Sequence, residues 1–311
     1  MEKLEWEPEV GVGEEYMSAR NIERLRMEAV LKRHGVWLKK KYGQNFLSDP
    51  DILRRIVEAA GVSKEDFVLE IGPGMGSLTR ELSKAAGGVL AVEIDEKLMP
   101  VLEEQLADCF RVELICGDIM KLSISDLVES RAEGRPVKVV ANLPYYITTP
   151  ILMKVLEEDR NWSSLTVMVQ REVAERMTAG PGTKTYGALS IAVAYYARPH
   201  VDFYLPPEAF FPPPKVESAV ITLERRTEPP VTVADEALLF SLIRASFNQR
   251  RKTLVNGLAH GAGLPLSKEE IAEAVEEVGL PKTVRGEALS LAQFAEVAEV
   301  IGGRLGAKGN G

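Results

Sequence analysis

Short apolar runs alternate with amphipathic segments through residues 66–226, and this alternation predicts an α/β fold. Runs rich in β-branched residues are typical of buried strands, and most of them precede apolar residues at helical spacing. We predict strands at residues 66–69, 88–92, 111–116, 137–141, 165–170, 200–205 and 218–223. The helical segments between the first five strands favour an open, largely parallel sheet.

Beyond residue 233 only the helical pattern continues. A Pro-containing segment at 227–233 is typical of a linker and separates the α/β domain, residues 40–226, from a helical domain at 234–303. The helices of this domain are predicted at 234–247, 252–259, 268–278 and 289–300. Residues 304–311 are expected to form a flexible tail because of their composition.

The first 39 residues are predicted to be an N-terminal extension that is partly helical. A charged helix at residues 18–33 is expected to carry Ile22, Leu25, Ala29 and Val30 along one side. The sequence does not indicate what this extension does.

Gln44 and Asn45 precede the next predicted helix, which has Pro50 in its first turn. Amide side chains at this place are candidates for binding a ligand. A simple capping turn is the alternative interpretation.

A Gly-rich motif, EIGPGMG at residues 70–76, follows the first predicted strand and precedes a helix at 77–86. Glycine lets such a turn close tightly and lets a ligand approach the backbone, so Gly72 and Gly74 are candidate ligand contacts. The spacing G-x-G-x-G differs from the dinucleotide spacing G-x-G-x-x-G. It favours a cofactor without a pyrophosphate, with S-adenosylmethionine first in line. A tight turn that binds nothing is the alternative.

Two acidic residues follow the second and third strands. Glu93 lies roughly 20 residues after Gly72, the usual offset for an acid that accepts the ribose hydroxyls of an adenosine cofactor. Asp118 is placed to accept the exocyclic amine of the cofactor adenine. Parallel strands bring their carboxyl ends to one edge, so these side chains are expected to lie together. An exposed acid at a strand end is the alternative for Glu93.

The fourth strand ends in Asn142-Leu143-Pro144-Tyr145, which suits chemistry on an adenine amine. That amine is a poor nucleophile because its lone pair is delocalised into the ring. Hydrogen bonds to the Asn142 oxygen and a nearby main-chain carbonyl would draw the nitrogen toward tetrahedral geometry. Pro144 stiffens the turn, and Tyr145 offers a face for stacking a flipped-out base. The alternative is a proline turn beside two core tyrosines.

A second aromatic candidate is Phe210, at the head of the Pro-rich segment 210–216. It is expected to press on the base from the side opposite Tyr145. A lid over the hydrophobic core is an equally good interpretation of Phe210.

The net charge of −8 argues against a protein that coats nucleic acid without specificity. Two segments are nevertheless basic, with five Lys and Arg in residues 31–42 and four in 244–252. We predict that Arg250, Arg251 and Lys252 bind RNA phosphates. Solvated helix faces are the alternative for either segment.

The remaining composition predicts a protein of the cytoplasm that needs no metal. The longest apolar run is far shorter than the roughly 20 residues that span a bilayer, and the acidic N-terminus is unlike a secretory signal. The two cysteines, Cys109 and Cys116, have neither disulfide nor zinc spacing, and the three histidines are scattered.

Taken together, the motifs resemble those of the small-subunit ribosomal RNA adenine-N6,N6 dimethyltransferases of the KsgA/RsmA type. The resemblance extends over residues 40–300 and leaves 1–39 unexplained. The segments that carry it are 43–47 (GQNFL), 70–76 (EIGPGMG), Glu93, Gly117-Asp118, 142–145 (NLPY), 210–216 (FFPPPKV) and 247–254 (FNQRRKTL).

This resemblance implies a class I, Rossmann-like methyltransferase: a seven-stranded sheet with one antiparallel strand, followed by a small all-α domain. It implies S-adenosyl-L-methionine as cofactor and two adjacent adenines near the 3′ end of 16S rRNA, in the immature small subunit, as substrate. The implied cofactor contacts include Asn45, Leu47, Gly72, Glu93, Asp118 and Asn142. The Leu143 carbonyl and Asn142 would hold the target amine, and Tyr145 and Phe210 would enclose the adenine.

Other functions remain open at this point. A 23S rRNA dimethyltransferase shares the motifs, but the acidic net charge and the 247–254 segment count against it. An assembly checkpoint factor, whose methylation is secondary, is compatible with the same residues. A nicotinamide dehydrogenase would require G-x-G-x-x-G and leaves Asn142 and Tyr145 without a use.

Overall fold

The computed structural model describes residues 19–36, 45–47, 49–158 and 161–309. Its strands are β1 Phe46–Leu47, β2 Phe67–Ile71, β3 Gly88–Glu93, β4 Val112–Cys116, β5 Val137–Asn142, β6 Trp162–Gln170, β7 Ala197–Leu205, β8 Phe210–Phe211 and β9 Ser218–Arg225. Its helices are α1 Ala19–Arg33, α2 Pro50–Ala59, α3 Ser77–Ala85, α4 Met99–Gln105, α5 Ile124–Ala132, α6 Thr148–Glu158, α7 Arg171–Met177, α8 Ala188–Tyr196, α9 Glu236–Asn248, α10 Leu254–Gly261, α11 Lys268–Glu277 and α12 Leu291–Gly309.

Seven strands form one sheet in the order β4-β3-β2-β5-β6-β9-β7. The pairs from β4 through β6 are parallel, and β9 is antiparallel to both of its neighbours. The predicted seven-stranded sheet with one antiparallel strand is therefore confirmed. The chain order reverses between β2 and β5, and open α/β sheets bind ligands beyond the carboxyl ends of strands at such a point.

The central strands are largely apolar because helices cover both faces of the sheet. All five residues of β2 are buried, and its side chains alternate between two hydrophobic clusters. Val68 and Val140 pack with α2 and α3 on one face, whereas Leu69 and Val139 pack toward α5 and α6 on the other. This double burial explains why the strands appear in the sequence as continuous apolar runs.

The helical domain shares a core with the sheet domain. The cluster that contains Leu69 continues through Tyr196 of α8 to Phe240 of α9 and Phe294 of α12. The rings of Tyr196 and Phe240 stack with their centroids 5.4 Å apart. The predicted domain division is thus a change of secondary structure within one continuous core.

The helix ends of the helical domain differ from the prediction by at most two residues, except the end of α12, which lies further on. Helix α10 begins at Leu254, because the Thr253 side chain accepts from the Asn256 N–H and caps the helix there. The predicted flexible tail from residue 304 is wrong up to Gly309, where α12 ends. Buried Ile301 and hydrogen bonds from Arg304 to the Glu270 carbonyl and Glu277 hold this last part of the helix.

Helix α1 is present, but only Val30 of the four residues predicted for its apolar side is buried. Ile22, Leu25 and Ala29 are exposed, and Met27 and Leu31 are buried beside Val30. These three pack with Phe46, Met75, Leu98 and Val101, so α1 lies against α4 and the Gly-rich loop. A short helix with many charges offers two possible apolar stripes, and tertiary contacts decide between them.

Candidate active site

A cavity lies at the carboxyl ends of β2, β3 and β5, where the chain order of the sheet reverses. It is lined by Asn45, Phe46, Gly72, Glu93, Ile94, Asn142, Leu143, Pro144, Tyr145 and Tyr146. The fold therefore brings together seven of the residues predicted from the sequence. A larger cavity of about 520 Å³ lies near the amino end of β6, and no predicted site residue lines it.

The Gly-rich loop depends on glycine at Gly74, whose φ is +60°. A Cβ there would lie 2.8 Å from Cε1 of Phe46, so a side chain would strain the backbone and collide with the ring. The Gly74 N–H donates to Oε2 of Glu93 at 3.1 Å. This bond joins the loop after β2 to the end of β3.

Glu93 is buried, and both its carboxylate oxygens accept main-chain N–H groups. Oε2 accepts from Gly74, and Oε1 accepts from Asp95 at 2.9 Å. Burial raises the pKa of Glu93, and these hydrogen bonds oppose that shift. Each oxygen keeps a further lone pair, so the carboxylate can still accept hydroxyl groups.

Asp118 continues the same edge one strand further. The Gly117 N–H donates to the Glu93 carbonyl at 2.8 Å, which places the turn after β4 directly beside β3. Asp118 Oδ1 accepts the Met120 N–H at 3.0 Å, and its other oxygen lies 4.0 Å from Lys121 Nζ. The ends of β4, β3, β2 and β5 therefore form a row with Asp118 at one end and Asn142 at the other, and Asp118 is not among the residues that line the cavity.

Asn142 occupies the end of β5 with its amide group oriented by a long-range hydrogen bond. Its Nδ2 donates to the main-chain carbonyl of Asn45 at 3.1 Å. This contact assigns the amide orientation and leaves Oδ1 as an acceptor at the cavity. Neighbouring Leu143 is fixed by its N–H, which donates to the Met168 carbonyl at 3.2 Å.

The turn after Asn142 is rigid. The Pro144 carbonyl accepts from Thr148 Oγ1 at 2.9 Å and from the Ile147 N–H at 3.1 Å. The Tyr145 hydroxyl lies 2.6 Å from Ser218 Oγ, at the start of β9. Burial raises the pKa of Tyr145, which keeps the phenol neutral at physiological pH. Its ring is therefore a fixed, uncharged wall of the cavity.

The other two predicted contacts are buried. Phe210 is 4% exposed, belongs to the hydrophobic cluster beneath α2, and is not among the residues that line the cavity. It pairs with Leu47 where β1 and β8 form a two-stranded sheet. Leu47 lines a small adjoining cavity together with Gly72 and Asn142. Phe210 thus covers the core in this structure, and its contact with a base stays a prediction. Gln44 lies outside the described residues.

Comparison with known proteins decides the family. A sequence model described as ribosomal RNA adenine dimethylase matches residues 36–301. The chain belongs to the ribosomal RNA adenine dimethylase family. It is 52% identical over 273 residues to the ribosomal RNA small subunit methyltransferase A of Lachnoclostridium phytofermentans, covering 88% of this chain and 94% of the relative.

Solved structures related to this dimethylase share its fold. A dimethyladenosine transferase from Plasmodium falciparum is similar with a TM-score of 0.66 and 25% identity, covering 80% of this chain and 94% of that one. The 23S rRNA methyltransferase ErmE is similar with a TM-score of 0.60 and 26% identity, covering 83% of this chain and 100% of that one. The fold is that of a class I methyltransferase with a helical region after it.

One residue of this dimethylase was missed as a site candidate. Glu70, the penultimate residue of β2, is 1% exposed, and burial raises its pKa to about 8. Its Oε2 has no hydrogen-bond partner among the described residues and lies at the small cavity that Gly72 and Asn142 also line. An acid within the apolar run FVLEI was the signal available in the sequence. Such a buried acceptor fits the cationic end of an amino-acid cofactor.

The predicted RNA-binding residues lie in the turn between α9 and α10. Arg250 Nη2 donates to the main-chain carbonyls of Lys184 at 2.9 Å and Tyr186 at 3.1 Å. Arg251 and Lys252 are exposed to solvent. Arg250 therefore holds a neighbouring loop of the dimethylase, whereas Arg251 and Lys252 present their charges outward.

That loop is the Gly-rich segment 178–185. The Gly182 N–H donates to the Glu287 carbonyl at 2.8 Å, and the Tyr186 hydroxyl donates to the Leu289 carbonyl at 2.8 Å. The helical domain thus fixes the loop at several points.

No group of three or more His, Cys, Asp or Glu in the described part of the dimethylase is arranged to hold a metal ion. Within the same residues, no helix has both the length and the apolar character required to cross a bilayer.

Proposed function

We propose that the protein transfers methyl groups from S-adenosyl-L-methionine to N6 of two adjacent adenines near the 3′ end of 16S rRNA, forming N6,N6-dimethyladenosine in the immature small subunit. The observation that carries the proposal is the orientation of Asn142, whose nitrogen is bonded to the Asn45 carbonyl so that its oxygen is the acceptor at the cavity. An acceptor there suits a substrate amine. We place the reaction in the cytoplasm.

The cofactor would lie along the row of strand ends from Asp118 to Asn142. Asp118 would accept the adenine amine, and Glu93 the ribose hydroxyls. The backbone at Gly72 and Gly74 would lie under the amino-acid part, with Asn45 and Leu47 closing the side nearest α2. The buried Glu70 carboxyl, whose Oε2 has no partner among the described residues, supports an ammonium group at that end. When bound, the cofactor supplies an electrophilic methyl group on a sulfonium.

The target adenine would enter beside Tyr145, whose ring is held by Ser218. Asn142 Oδ1 and the Leu143 carbonyl would each accept a hydrogen bond from the target amine. These two bonds would draw N6 toward tetrahedral geometry. Its lone pair would then point at the methyl carbon. Transfer would form the new N–C bond while the S–C bond of the cofactor would break, and the electron pair of that bond would stay on the sulfur. The N6 proton becomes acidic once the nitrogen carries the methyl group, so no general base is needed before transfer.

Small-subunit RNA is favoured over 23S rRNA as substrate. The relative that is 52% identical over most of both chains is named a small subunit methyltransferase, whereas the similarity to ErmE is 26%. The acidic net charge of −8 also fits a partner that is recognised through limited basic surfaces such as Arg251 and Lys252.

Methyl transfer from labelled S-adenosylmethionine to small subunits that lack the modification tests the proposal. Digestion to nucleosides should yield label as N6,N6-dimethyladenosine from 16S rRNA. Label only in large-subunit RNA would replace the proposal with a 23S activity. Absence of transfer while subunits still bind would leave a checkpoint factor without this reaction.

A further inference from the structure

Exposed apolar side chains collect beside the candidate active site. The large hydrophobic residues that are exposed in the described part of the chain are Ile22, Leu25, Ile94, Phe110, Tyr146, Tyr204 and Val216. Of these, Ile94, Tyr146, Tyr204 and Val216 lie at the sheet edge that carries the cavity. Phe110 precedes β4 and lies at the opposite edge. Ile94 and Tyr146 line the cavity itself, and exposed apolar residues along the edge of an active site indicate an interaction surface.

Tyr146 forms the rim of the cavity. It lines the same space as Asn142 and Tyr145, yet its side chain is 55% exposed. The turn that carries it is fixed through the Pro144 carbonyl, which accepts from Ile147 and Thr148. Whatever base enters beside Tyr145 therefore passes a second aromatic ring at the entrance.

Tyr204 and Arg171 form a second exposed surface on the same edge, which we call the Tyr204 shelf. It is 50% exposed near the end of β7, and the guanidinium of Arg171 lies over its ring at 5.0 Å from the centroid. Arg171 is also bonded to Glu217 at 2.7 Å and to Glu175 at 2.9 Å. Because two carboxylates already balance the guanidinium charge, this shelf suits stacking of a planar group better than binding of a phosphate.

Strand β9 connects the two aromatic positions, because its first residue contacts Tyr145 and also pairs with the end of β7. Ser218, which is bonded to the Tyr145 hydroxyl, pairs with Leu205, the residue after Tyr204. Strands β5 and β7 are three positions apart in the sheet, which is about 14 Å at a strand spacing of roughly 4.8 Å. The Tyr204 shelf thus lies along the same edge as Tyr146, at a distance that a few nucleotides of a single strand can cover.

We propose that the single-stranded RNA flanking the target adenine crosses this edge and stacks its bases on Tyr146 and on the Tyr204 shelf. The inference rests on the proposed function, which requires one adenine to leave its stack and enter the cavity. The bases next to that adenine then lose it as a stacking partner, and the exposed aromatic rings of the protein take its place. These rings would select an unpaired strand without reading its base edges, and they would hold the second adenine close to the cavity.

Kinetics on unmodified small subunits test the two rings separately. Tyr146→Ala and Tyr204→Ala should each raise KM for subunits by about 5- to 150-fold, the range expected for loss of one stacked base, and leave cofactor affinity unchanged. Tyr146→Phe and Tyr204→Phe should restore KM, because the ring carries the effect. Phe110→Ala removes an aromatic ring that is 88% exposed at the opposite edge and should change nothing.

A contact readout separates this inference from the proposed function. A photoreactive phenylalanine analogue at position 146 or 204 should crosslink bound subunits to rRNA within a few nucleotides of the methylated adenines, whether or not transfer occurs. Crosslinks only to ribosomal proteins, or none from a protein that still binds subunits, would overturn the inference. So would alanine variants with unchanged KM. Loss of transfer in the unmodified protein, with these crosslinks intact, would count against the reaction and leave the stacking surface standing.

Discussion

The side-chain nitrogen of Asn142 lies 3.1 Å from the main-chain oxygen of Asn45, although 97 residues separate them in the chain. The segment before α2 thereby sets which end of the Asn142 amide meets the substrate. Local sequence around β5 alone does not determine this orientation.

Asn142→Ala is expected to lower kcat about 100-fold or more, the loss typical when a preorganised hydrogen-bonding group leaves an active site. Asn142→Asp should be at least as harmful, because a carboxylate cannot donate to the Asn45 carbonyl. Steady-state kinetics on unmodified subunits measure both. Asn256→Ala, which removes an amide bonded to Thr253 in the helical domain, should leave kcat unchanged. Equal kcat for Asn142→Ala and the parent would refute the assigned role.

Glu70 should make stability depend on pH. Burial raises its folded-state pKa to about 8 from 4.5, so the folded protein holds this proton more tightly than the unfolded chain. Below pH 4.5 the carboxyl is protonated in both the folded and the unfolded state, so its ionisation adds no penalty to the free energy of folding. The free energy of unfolding should then fall as pH rises toward 8, by up to a few kcal/mol, and stay low above that.

Glu70→Gln should remove this pH dependence, because a neutral amide has no proton to lose. Urea unfolding of the cofactor-free protein at pH 5, 7 and 9 measures the difference between the two proteins. Parallel pH profiles would show that Glu70 titrates normally.

Gly74→Ala should lower both stability and cofactor affinity. The left-handed backbone costs a residue with a Cβ about 1–2 kcal/mol, and the collision with Phe46 adds to that. Gly263→Ala is the matched control, since Gly263 has a φ of +62° and no atom within 4 Å of a built Cβ. Thermal unfolding and cofactor titration compare the variants. Equal losses of thermal stability in Gly74→Ala and Gly263→Ala would mean that the Phe46 contact is unimportant.

Charge reversal tests whether the basic residues after α9 contact RNA phosphates. Arg251→Glu and Lys252→Glu are expected to weaken subunit binding and to reduce the slope of log K against log salt by about 1 for each phosphate that the variant no longer neutralises. Cofactor affinity should stay constant. Binding that keeps its strength and its salt slope would rule out phosphate contacts here.

Arg250→Ala should act differently, because its guanidinium is bonded to the carbonyls of Lys184 and Tyr186. We expect faster hydrogen exchange in the 178–187 loop, measured by mass spectrometry on the free protein. Exchange in that loop should be unaffected by Arg251→Ala. A loop that exchanges no faster without Arg250 would show that the remaining contacts suffice to hold it.

The sheet and the grouping of most candidate site residues were predictable because they depend on local patterns. Buried strands need apolar runs, and the polar residues that follow them, Glu93, Asp118 and Asn142, necessarily meet at one edge. The buried side of α1, the position of Phe210 and the contacts of Arg250 were not predictable in this way. Each is decided by which distant surface the residue meets, and neither spacing nor composition records that. The same holds for α12, which continues through a Gly-rich tail because Arg304 and Ile301 find partners on neighbouring elements.

Helix α1 lies entirely before residue 36, where the similarity to the dimethylase family begins, yet its side chains Met27 and Leu31 pack with Met75 of the Gly-rich loop. The limit of family similarity is therefore not the limit of the folding unit. A chain shortened to begin at residue 37 would lose Met27, Val30 and Leu31 from the cluster that packs on Met75 and Val101. Work on the isolated domain should keep this helix, because the cofactor loop rests on residues that the family pattern omits.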